Sequence, residues 1–208
     1  MKAIKRKLFL LFQFPFLLIT IGCNNKKDTH SLALPDSLFC EGDIVFRRGT
    51  GLISQMILTT DKRGNYSHVG ILVKDENQWK IVHAVPGEPN FKGDPDRVKM
   101  EDIEGFFSWE KAKTGIVMRM KDNETGNVRA AKNAIRLFHL NILFDHKYNL
   151  QDSSKMYCTE LVDYVFKQEG IDLTEGRRTQ INVPGLNGTY ILPNDILQNK
   201  QLCLIYYY

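Results

Sequence analysis

The chain has 208 residues, of which 43% are hydrophobic and 25% are charged. This composition belongs to a folding chain of about one domain, so it excludes a disordered or collagen-like protein. The net charge of +4 comes from the amino terminus, because four lysine and arginine residues lie in the first seven positions and no acidic residue precedes Asp28. From Cys23 onward the chain has 24 basic and 24 acidic residues, which argues against a nucleic-acid partner bound through a broad basic surface.

The amino-terminal segment is typical of an export signal. Residues 2–7 are rich in basic side chains, and residues 8–21 are almost entirely apolar. A membrane span needs about 20 apolar residues, so this shorter run fits the hydrophobic part of a signal peptide. It ends in Gly22-Cys23 and a polar stretch, which resembles a bacterial lipobox, although Thr20 stands where that motif usually has leucine or valine.

The resemblance to a lipobox implies cleavage before Cys23 and lipidation of its sulfur. A plain signal peptide and a short uncleaved anchor are the alternatives. We therefore expect residues 1–22 to be a lipoprotein signal peptide, residues 23–37 a polar tether and residues 38–208 a folded domain. Two or three acyl chains would hold that domain at the bacterial cell envelope, on its periplasmic or outer-membrane face.

The first part of the domain is predicted to be mainly β-structure. Short runs rich in β-branched and aromatic residues alternate there with turn-forming residues. In chain order, the pattern predicts a strand at 44–46, a short helix at 52–58, a β-hairpin at 68–85 with its turn at 75–77, a loop at 86–96, and strands at 97–100 and 115–120.

Two later segments have helical periodicity. Residues 124–140 form the first, and residues 156–169, which Gly170 is expected to end, form the second. A polar loop at 174–189 and a closing strand at 202–208 follow. The order of strands, then helices, then a last strand predicts an α+β fold with an antiparallel sheet packed against helices. The expected apolar faces are Val128, Ala131, Ile135 and Phe138 on the first helix and Leu161, Val162, Val165 and Phe166 on the second.

The chain has four cysteines, Cys23, Cys40, Cys158 and Cys203. If Cys23 carries lipid, an odd number remains, so at least one thiol is free or bonded to another molecule. Cys40 and Cys203 are either a disulfide pair or two small buried residues. No C-x-x-C motif is present, so a structural zinc site is not expected, and we predict neither a metal nor a cofactor.

Cys158, His68 and His83 form the set of residues that suggests chemistry. His68 begins the first strand of the predicted hairpin and His83 lies near the end of the second, so the two residues are expected to be close. Cys158 lies at the start of a predicted helix, where free N–H groups and the helix dipole favour an anion. We expect a thiolate nucleophile with His68 as its base and His83 as the residue that orients the base.

Other interpretations of the same residues remain open. A buried cysteine on an apolar helix is commonly structural, and a strand histidine is commonly only hydrogen-bonded. The histidine pair would also suit a metal ion, but no third and fourth ligand has usable spacing.

Three blocks of sequence, in this order, resemble the permuted branch of the NlpC-type cysteine hydrolases. They are GDIVF at 42–46, YSHVGI at 66–71 and YCTELV at 157–162. The YiiX/YebB-like proteins are the most similar group, and lecithin:retinol acyltransferase-like enzymes are more distant. The resemblance spans about residues 40–206 and implies a circularly permuted papain-like fold, in which the histidine strand precedes the cysteine helix.

The resemblance implies that Cys158 is the nucleophile and His68 the base. Many YiiX-like sequences have glutamate at the third position, where this chain has His83 as the acyltransferase relatives do, and Glu88 is a weaker candidate for that role. Tyr148, in a segment that also resembles the family, and Ser67 are expected to line the substrate site, with packing and a turn hydrogen bond as the alternatives.

Taken together, these features predict a lipid-anchored envelope cysteine hydrolase. It would cleave an amide bond in a cell-wall peptide or an N-acylated amino compound through an acyl-enzyme. The alternatives are a lipid acyl hydrolase or acyltransferase, and a non-catalytic module that binds envelope peptides.

Overall fold

The computed structural model describes residues 36–61 and 64–208. The predicted signal peptide, the lipidation at Cys23 and most of the predicted tether therefore lie outside the described residues. In the described part the strands are β1 (Ile44–Gly49), β2 (His68–Asp75), β3 (Gln78–Val85), β4 (Arg97–Asp102), β5 (Ala112–Met120), β6 (Leu143–Phe144), β7 (Lys155–Met156), β8 (Thr179–Ile181), β9 (Gly188–Tyr190) and β10 (Leu202–Tyr207). The helices are α1 (Leu52–Thr60), α2 (Ile103–Phe106), α3 (Glu124–His139), α4 (Cys158–Lys167) and α5 (Pro193–Leu197), and a 3-10 turn covers Asp36–Leu38.

Eight of these strands form one sheet in the order β10-β5-β1-β2-β3-β4-β6-β7. Neighbouring strands pair antiparallel except β6 and β7, which are parallel. Helices α3 and α4 pack against β2 and β3. The predicted α+β class, an antiparallel sheet packed against helices, is therefore confirmed.

The central strands of the sheet are buried on both faces. In β2, Val69, Ile71 and Val73 belong to the core that includes α3 and α4, whereas Leu72 belongs to a second core that includes Phe106 of α2. This alternation follows from the period of two in a strand. It explains why the run 69–73 is apolar without interruption, as is typical of a strand covered on both sides.

The hairpin predicted at residues 68–85 is present as β2 and β3. Glu76 and Asn77 form its two-residue turn, with φ of 44° and 63°. Positive φ at both central positions is the geometry of a tight hairpin turn that matches the twist of the strands. The turn fixes the register, in which Ile71 lies opposite Val82.

Helix α3 forms where expected but faces the sheet differently. Of the predicted apolar face, Ala131 is buried, while Val128, Ile135 and Phe138 are only half-buried. The predicted face is thus wrong by part of a turn. Small side chains on the buried face let the helix axis approach the sheet closely. The buried Asn127 lies among them, and its side-chain amide donates to the Met120 carbonyl at 2.9 Å. The buried positions are Gly126, Asn127, Ala130, Ala131, Ala134 and Leu137.

Two further expectations are corrected. Cys40 and Cys203 are free thiols, so the disulfide alternative is wrong, and Cys40 is exposed and Cys203 half-buried, so the buried alternative fails too. The segment 174–189, predicted as a loop, contains the β8–β9 hairpin.

No helix in the described ranges is long and apolar enough to span a bilayer.

Candidate active site

Four adjacent strands place a row of polar side chains on one face of the sheet. Arg47 of β1 lies opposite His68 of β2. The β2–β3 register, continued from Ile71–Val82, makes His83 the diagonal neighbour of His68 on the same face. His83 lies opposite Lys99 of β4, so Glu101, two residues along, is its diagonal neighbour in turn. The sheet therefore brings Arg47, His68, His83 and Glu101 together across four strands.

His68 and His83 are in direct contact. The distance from His68 Nε2 to His83 Nδ1 is 2.8 Å, and the exposed fractions are 7% and 0%. The Phe106 ring covers both, with ring-centroid distances of 5.6 and 5.2 Å. The predicted proximity of the two histidines is thus observed.

Gly70 makes room for this pair. A Cβ atom at Gly70 would lie 2.6 Å from Ile81 Cγ2 and 3.1 Å from His83 Cβ. Any other residue would push β2 away from β3 where the two histidines meet.

Cys158 is the first residue of α4, as predicted, and is 8% exposed. The helix start is fixed to the segment before α5, since Thr159 Oγ1 donates to the Ile191 carbonyl at 2.7 Å and Ile191 N donates to the Tyr157 hydroxyl at 3.1 Å. The backbone N–H groups of Val69 and Thr159 hydrogen-bond the sulfur. Because Val69 directly follows His68, the thiol lies beside the strand that carries the histidine.

The electrostatics of this pair differ from expectation. Burial raises the pKa of Cys158 to about 11, although hydrogen bonds from Val69 and Thr159 act in the opposite direction. Burial, followed by the charge of Arg47, lowers the pKa of His68 well below its usual range. These shifts favour an uncharged thiol at Cys158 and an uncharged imidazole at His68, in contrast to the expected resting thiolate.

His83 contacts a cluster of two acidic and two basic side chains, which are Glu88, Glu101, Arg47 and Lys111. Glu101 Oε1 lies 2.9 Å from His83 Nε2, and Lys111 Nζ lies 2.6 Å from Glu101 Oε2. Lys111 Nζ also lies 2.9 Å from Glu88 Oε2, and Arg47 pairs with Glu88. Burial alone would raise the pKa of Glu101, but the contacts with His83 and Lys111 lower it to about 2. Arg47 also donates to the Phe106 carbonyl at 2.9 Å.

The remaining predicted residues lie in different settings. Tyr148 has a φ of 53°, its ring contacts Tyr157 at 5.3 Å, and burial together with the nearby Cys158 raises its pKa. Ser67 is buried, and its hydroxyl accepts a hydrogen bond from Gly49 N at the end of β1 at 2.9 Å, which is a contact between neighbouring strands and not a bond within a turn. Glu88, the alternative orienting residue, pairs with Arg47 and Lys111.

The site has groups that acyl transfer needs: a thiol, a histidine on the strand beside it, a second histidine that holds the first, and N–H groups at a helix start. Within residues 36–61 and 64–208, no group of three or more His, Cys, Asp or Glu side chains is placed to hold a metal ion. The sequence patterns did not indicate Arg47 or Glu101, because both reach the site through strand pairing.

Comparison with known proteins identifies relatives of this arrangement. The family described as "Permuted papain-like amidase enzyme, YaeF/YiiX, C92 family" matches residues 39–206. Among solved structures, the crystal structure of metalloprotein YiiX from Escherichia coli O157:H7 is similar with a TM-score of 0.65 at 19% sequence identity. The match covers 81% of this chain and 97% of that chain. No curated protein matches.

Proposed function

The chain belongs to the permuted papain-like amidase family, a family of cysteine hydrolases, and we propose that it cleaves an amide bond of a cell-wall peptide or an N-acylated amino compound at the bacterial envelope. The observation that carries the proposal is the contact of 2.8 Å between His68 Nε2 and His83 Nδ1. It holds the His68 ring by Nε2, and in the proposed reaction Nδ1 is the nitrogen that takes the proton of the Cys158 thiol.

In the proposed reaction, Cys158 attacks the amide carbonyl carbon while His68 Nδ1 takes the thiol proton. The neutral starting pair makes this proton transfer part of the attack. N–H groups at the start of α4 stabilise the oxyanion, and the imidazolium then protonates the leaving amine. Water hydrolyses the resulting thioester, with His68 again acting as the base.

The test uses the full-length protein in detergent, with soluble cell-wall fragments and N-acylated amino acids as separate substrates. We expect mass spectrometry to show a new amine and a new acid from one of the two substrates. The products should disappear with Cys158→Ala and with His68→Ala. Product release by Cys158→Ala at the wild-type rate would contradict the proposal.

A second candidate function, hydrolysis or transfer of a lipid acyl group, is favoured by an exposed apolar rim beside the site. Helix α1 has five large apolar residues and none of its residues is buried; Leu52 is 85% and Met56 is 52% exposed. Trp109, 82% exposed, adjoins the same region, because Thr50 N donates to the Lys111 carbonyl at 3.3 Å. Exposed apolar patches of this kind suit contact with a lipid surface.

Phospholipid vesicles separate the two candidates. If lipid is the substrate, fatty acid is released from vesicles, and replacing Leu52 and Met56 together by serine reduces that release without changing cleavage of soluble fragments. Phe91→Ser is the matched control, since Phe91 is 61% exposed in the 86–96 loop. An equal loss of release in the control would exclude a specific role for the rim.

A further inference from the structure

We propose that Glu101 is a positioning residue that sets the tautomers of both histidines, so that His68 presents an unprotonated Nδ1 to Cys158. This proposal builds on the proposed function, since it assigns a role within the same site. It concerns a residue on β4 that contacts neither the thiol nor His68 directly.

The first step is the contact between Glu101 and His83. Glu101 Oε1 lies 2.9 Å from His83 Nε2, and an ionised carboxylate only accepts hydrogen bonds. The other carboxylate oxygen is held by Lys111 Nζ at 2.6 Å, which keeps the carboxylate charged and fixed. The negative charge attracts a proton on His83 Nε2 and repels a lone pair there, so the contact favours the tautomer of His83 that is protonated on Nε2.

The second step passes from His83 to His68. His83 is fully buried, and this burial lowers its pKa, so the ring is neutral with one proton. With that proton on Nε2, Nδ1 of His83 is an acceptor, and the group 2.8 Å away, Nε2 of His68, must donate. A neutral His68 protonated on Nε2 has its lone pair on Nδ1, which is the form that a base needs.

The same contacts act when the reaction begins. Once His68 Nδ1 takes the thiol proton, the ring becomes an imidazolium, and the negative charge of Glu101 stabilises it through His83. Two histidines without the carboxylate would exchange their donor and acceptor roles, and the reversed pair would present a protonated Nδ1 to the thiol.

Glu88 provides a matched control. It contacts the same two cations as Glu101, Arg47 and Lys111, so its loss removes an equal charge from the same cluster. Of the two acids, Glu101 is the one that contacts a histidine, at His83 Nε2. Glu101→Gln and Glu88→Gln thus separate an effect on the tautomers from an effect on the ion cluster.

The experiment records two-bond ¹H–¹⁵N spectra of the full-length protein labelled at histidine. We expect both His68 and His83 to carry the proton on Nε2 in the wild type and in Glu88→Gln. In Glu101→Gln the amide can donate to His83 Nε2, so a population with the proton on Nδ1 should appear. This measurement needs no substrate, so its outcome is independent of whether the amide hydrolase proposal holds.

Kinetics with the substrate found above provide the second measurement. Glu101→Gln should reduce kcat at least about 10-fold with KM within about twofold, and Glu88→Gln should reduce it less. Glu101→Asp keeps a carboxylate with a shorter reach and should give intermediate tautomer populations and an intermediate kcat. This second variant also allows the test to be made if Glu101→Gln does not fold. Wild-type tautomers in Glu101→Gln, or in Glu101→Asp if the first variant does not fold, would overturn the proposal.

Discussion

At Cys158 the cost of burial exceeds the benefit of the helix terminus. A helix N-terminus stabilises a nearby anion by about 0.3–1 kcal/mol. The rise in the pKa of this thiol from 9.0 to about 11 corresponds to about 3 kcal/mol in the opposite direction. A thiol with this pKa keeps its proton at neutral pH, so the proposed reaction requires His68 to remove that proton during the attack.

This balance predicts slow, strongly pH-dependent alkylation of Cys158. With a pKa of about 11, only about one Cys158 thiol in ten thousand is ionised at pH 7. Iodoacetamide should label the exposed Cys40 faster at pH 7, and labelling of Cys158 should still be rising at pH 9. Peptide mass spectrometry measures both rates in one sample, with Cys158→Ser to identify the peptide. A Cys158 rate that levels off below pH 8 would show that the thiolate forms readily.

The residues of the site were only partly predictable from the sequence. His68 and His83 were found because a short turn links their strands, and the turn fixes which residues face each other. Glu101 was missed because an irregular segment of 11 residues, 86–96, separates β3 from β4, and nothing in its sequence fixes the register. The same holds for Arg47, which pairs with β2 across α1 and a polar turn.

At the scale of elements, the meeting of β2 and β3 at Gly70 is a second testable point. Gly70→Ala places a Cβ 2.6 Å from Ile81 Cγ2, so the strands must separate and the contact between His68 and His83 must lengthen. We expect a loss of stability of about 1–3 kcal/mol and a lower kcat. Gly51→Ala is the control, because its Cβ would meet nothing within 4 Å and its φ is −72°. Equal urea midpoints for the two variants would contradict the predicted clash.

The two main helices show why one face was predicted correctly and the other was not. In α4 the apolar stripe consists of large residues, Leu161, Val162, Val165 and Phe166, and all four are fully buried. In α3 five of the six buried positions are glycine, alanine or asparagine, so the larger side chains at the edge of the helix give the stronger but misleading pattern. Size and polarity alone do not show which face of such a helix approaches a sheet most closely.

Helix α4 also makes stability depend on pH through Glu160. Burial raises the pKa of this carboxyl to about 8, with Asp145 among the groups that add to the shift and a hydrogen bond from Tyr157 N opposing it. The folded state thus binds a proton that the unfolded state releases above about pH 4.5, so folding loses stability as the pH rises to 8. Glu160→Gln should remove this loss.

The expected gain from Glu160→Gln in the free energy of unfolding is about 2–4 kcal/mol at pH 8, and close to zero at pH 4.5. Urea unfolding of wild type and variant at both pH values measures it. Comparing the two proteins cancels the contributions of other acids, such as Asp43 and Asp163, whose pKa values are also raised by burial. A difference independent of pH would show that Glu160 is charged in the folded state.

At the scale of the whole molecule, the order of the blocks was the most informative feature of the sequence. A histidine strand, then a cysteine helix, then a closing strand define the permuted fold, and β10 returns to pair with β5 at the edge of the sheet. Short elements with few residues, such as α2, β6, β7 and β8, carry too little periodicity to be predicted. They nevertheless matter for the site, since α2 supplies the Phe106 ring that covers the histidines.

The remaining prediction concerns the amino-terminal segment, which supplies the whole net charge of +4. If Cys23 is lipidated, the 13 Cα–Cα steps from Cys23 to Asp36 can span at most about 45 Å, so the site stays close to a membrane. In a bacterial host, wild-type protein should then fractionate with membranes, and its first peptide should begin at Cys23 with the mass of two or three acyl chains. Cys23→Ser should lose this mass and leave the membrane fraction, whereas Cys40→Ser should behave as the wild type. If Cys23→Ser instead stays in membranes with residues 1–22 still attached, the segment is an uncleaved anchor, and the neutral domain beyond it is held by that apolar run rather than by lipid.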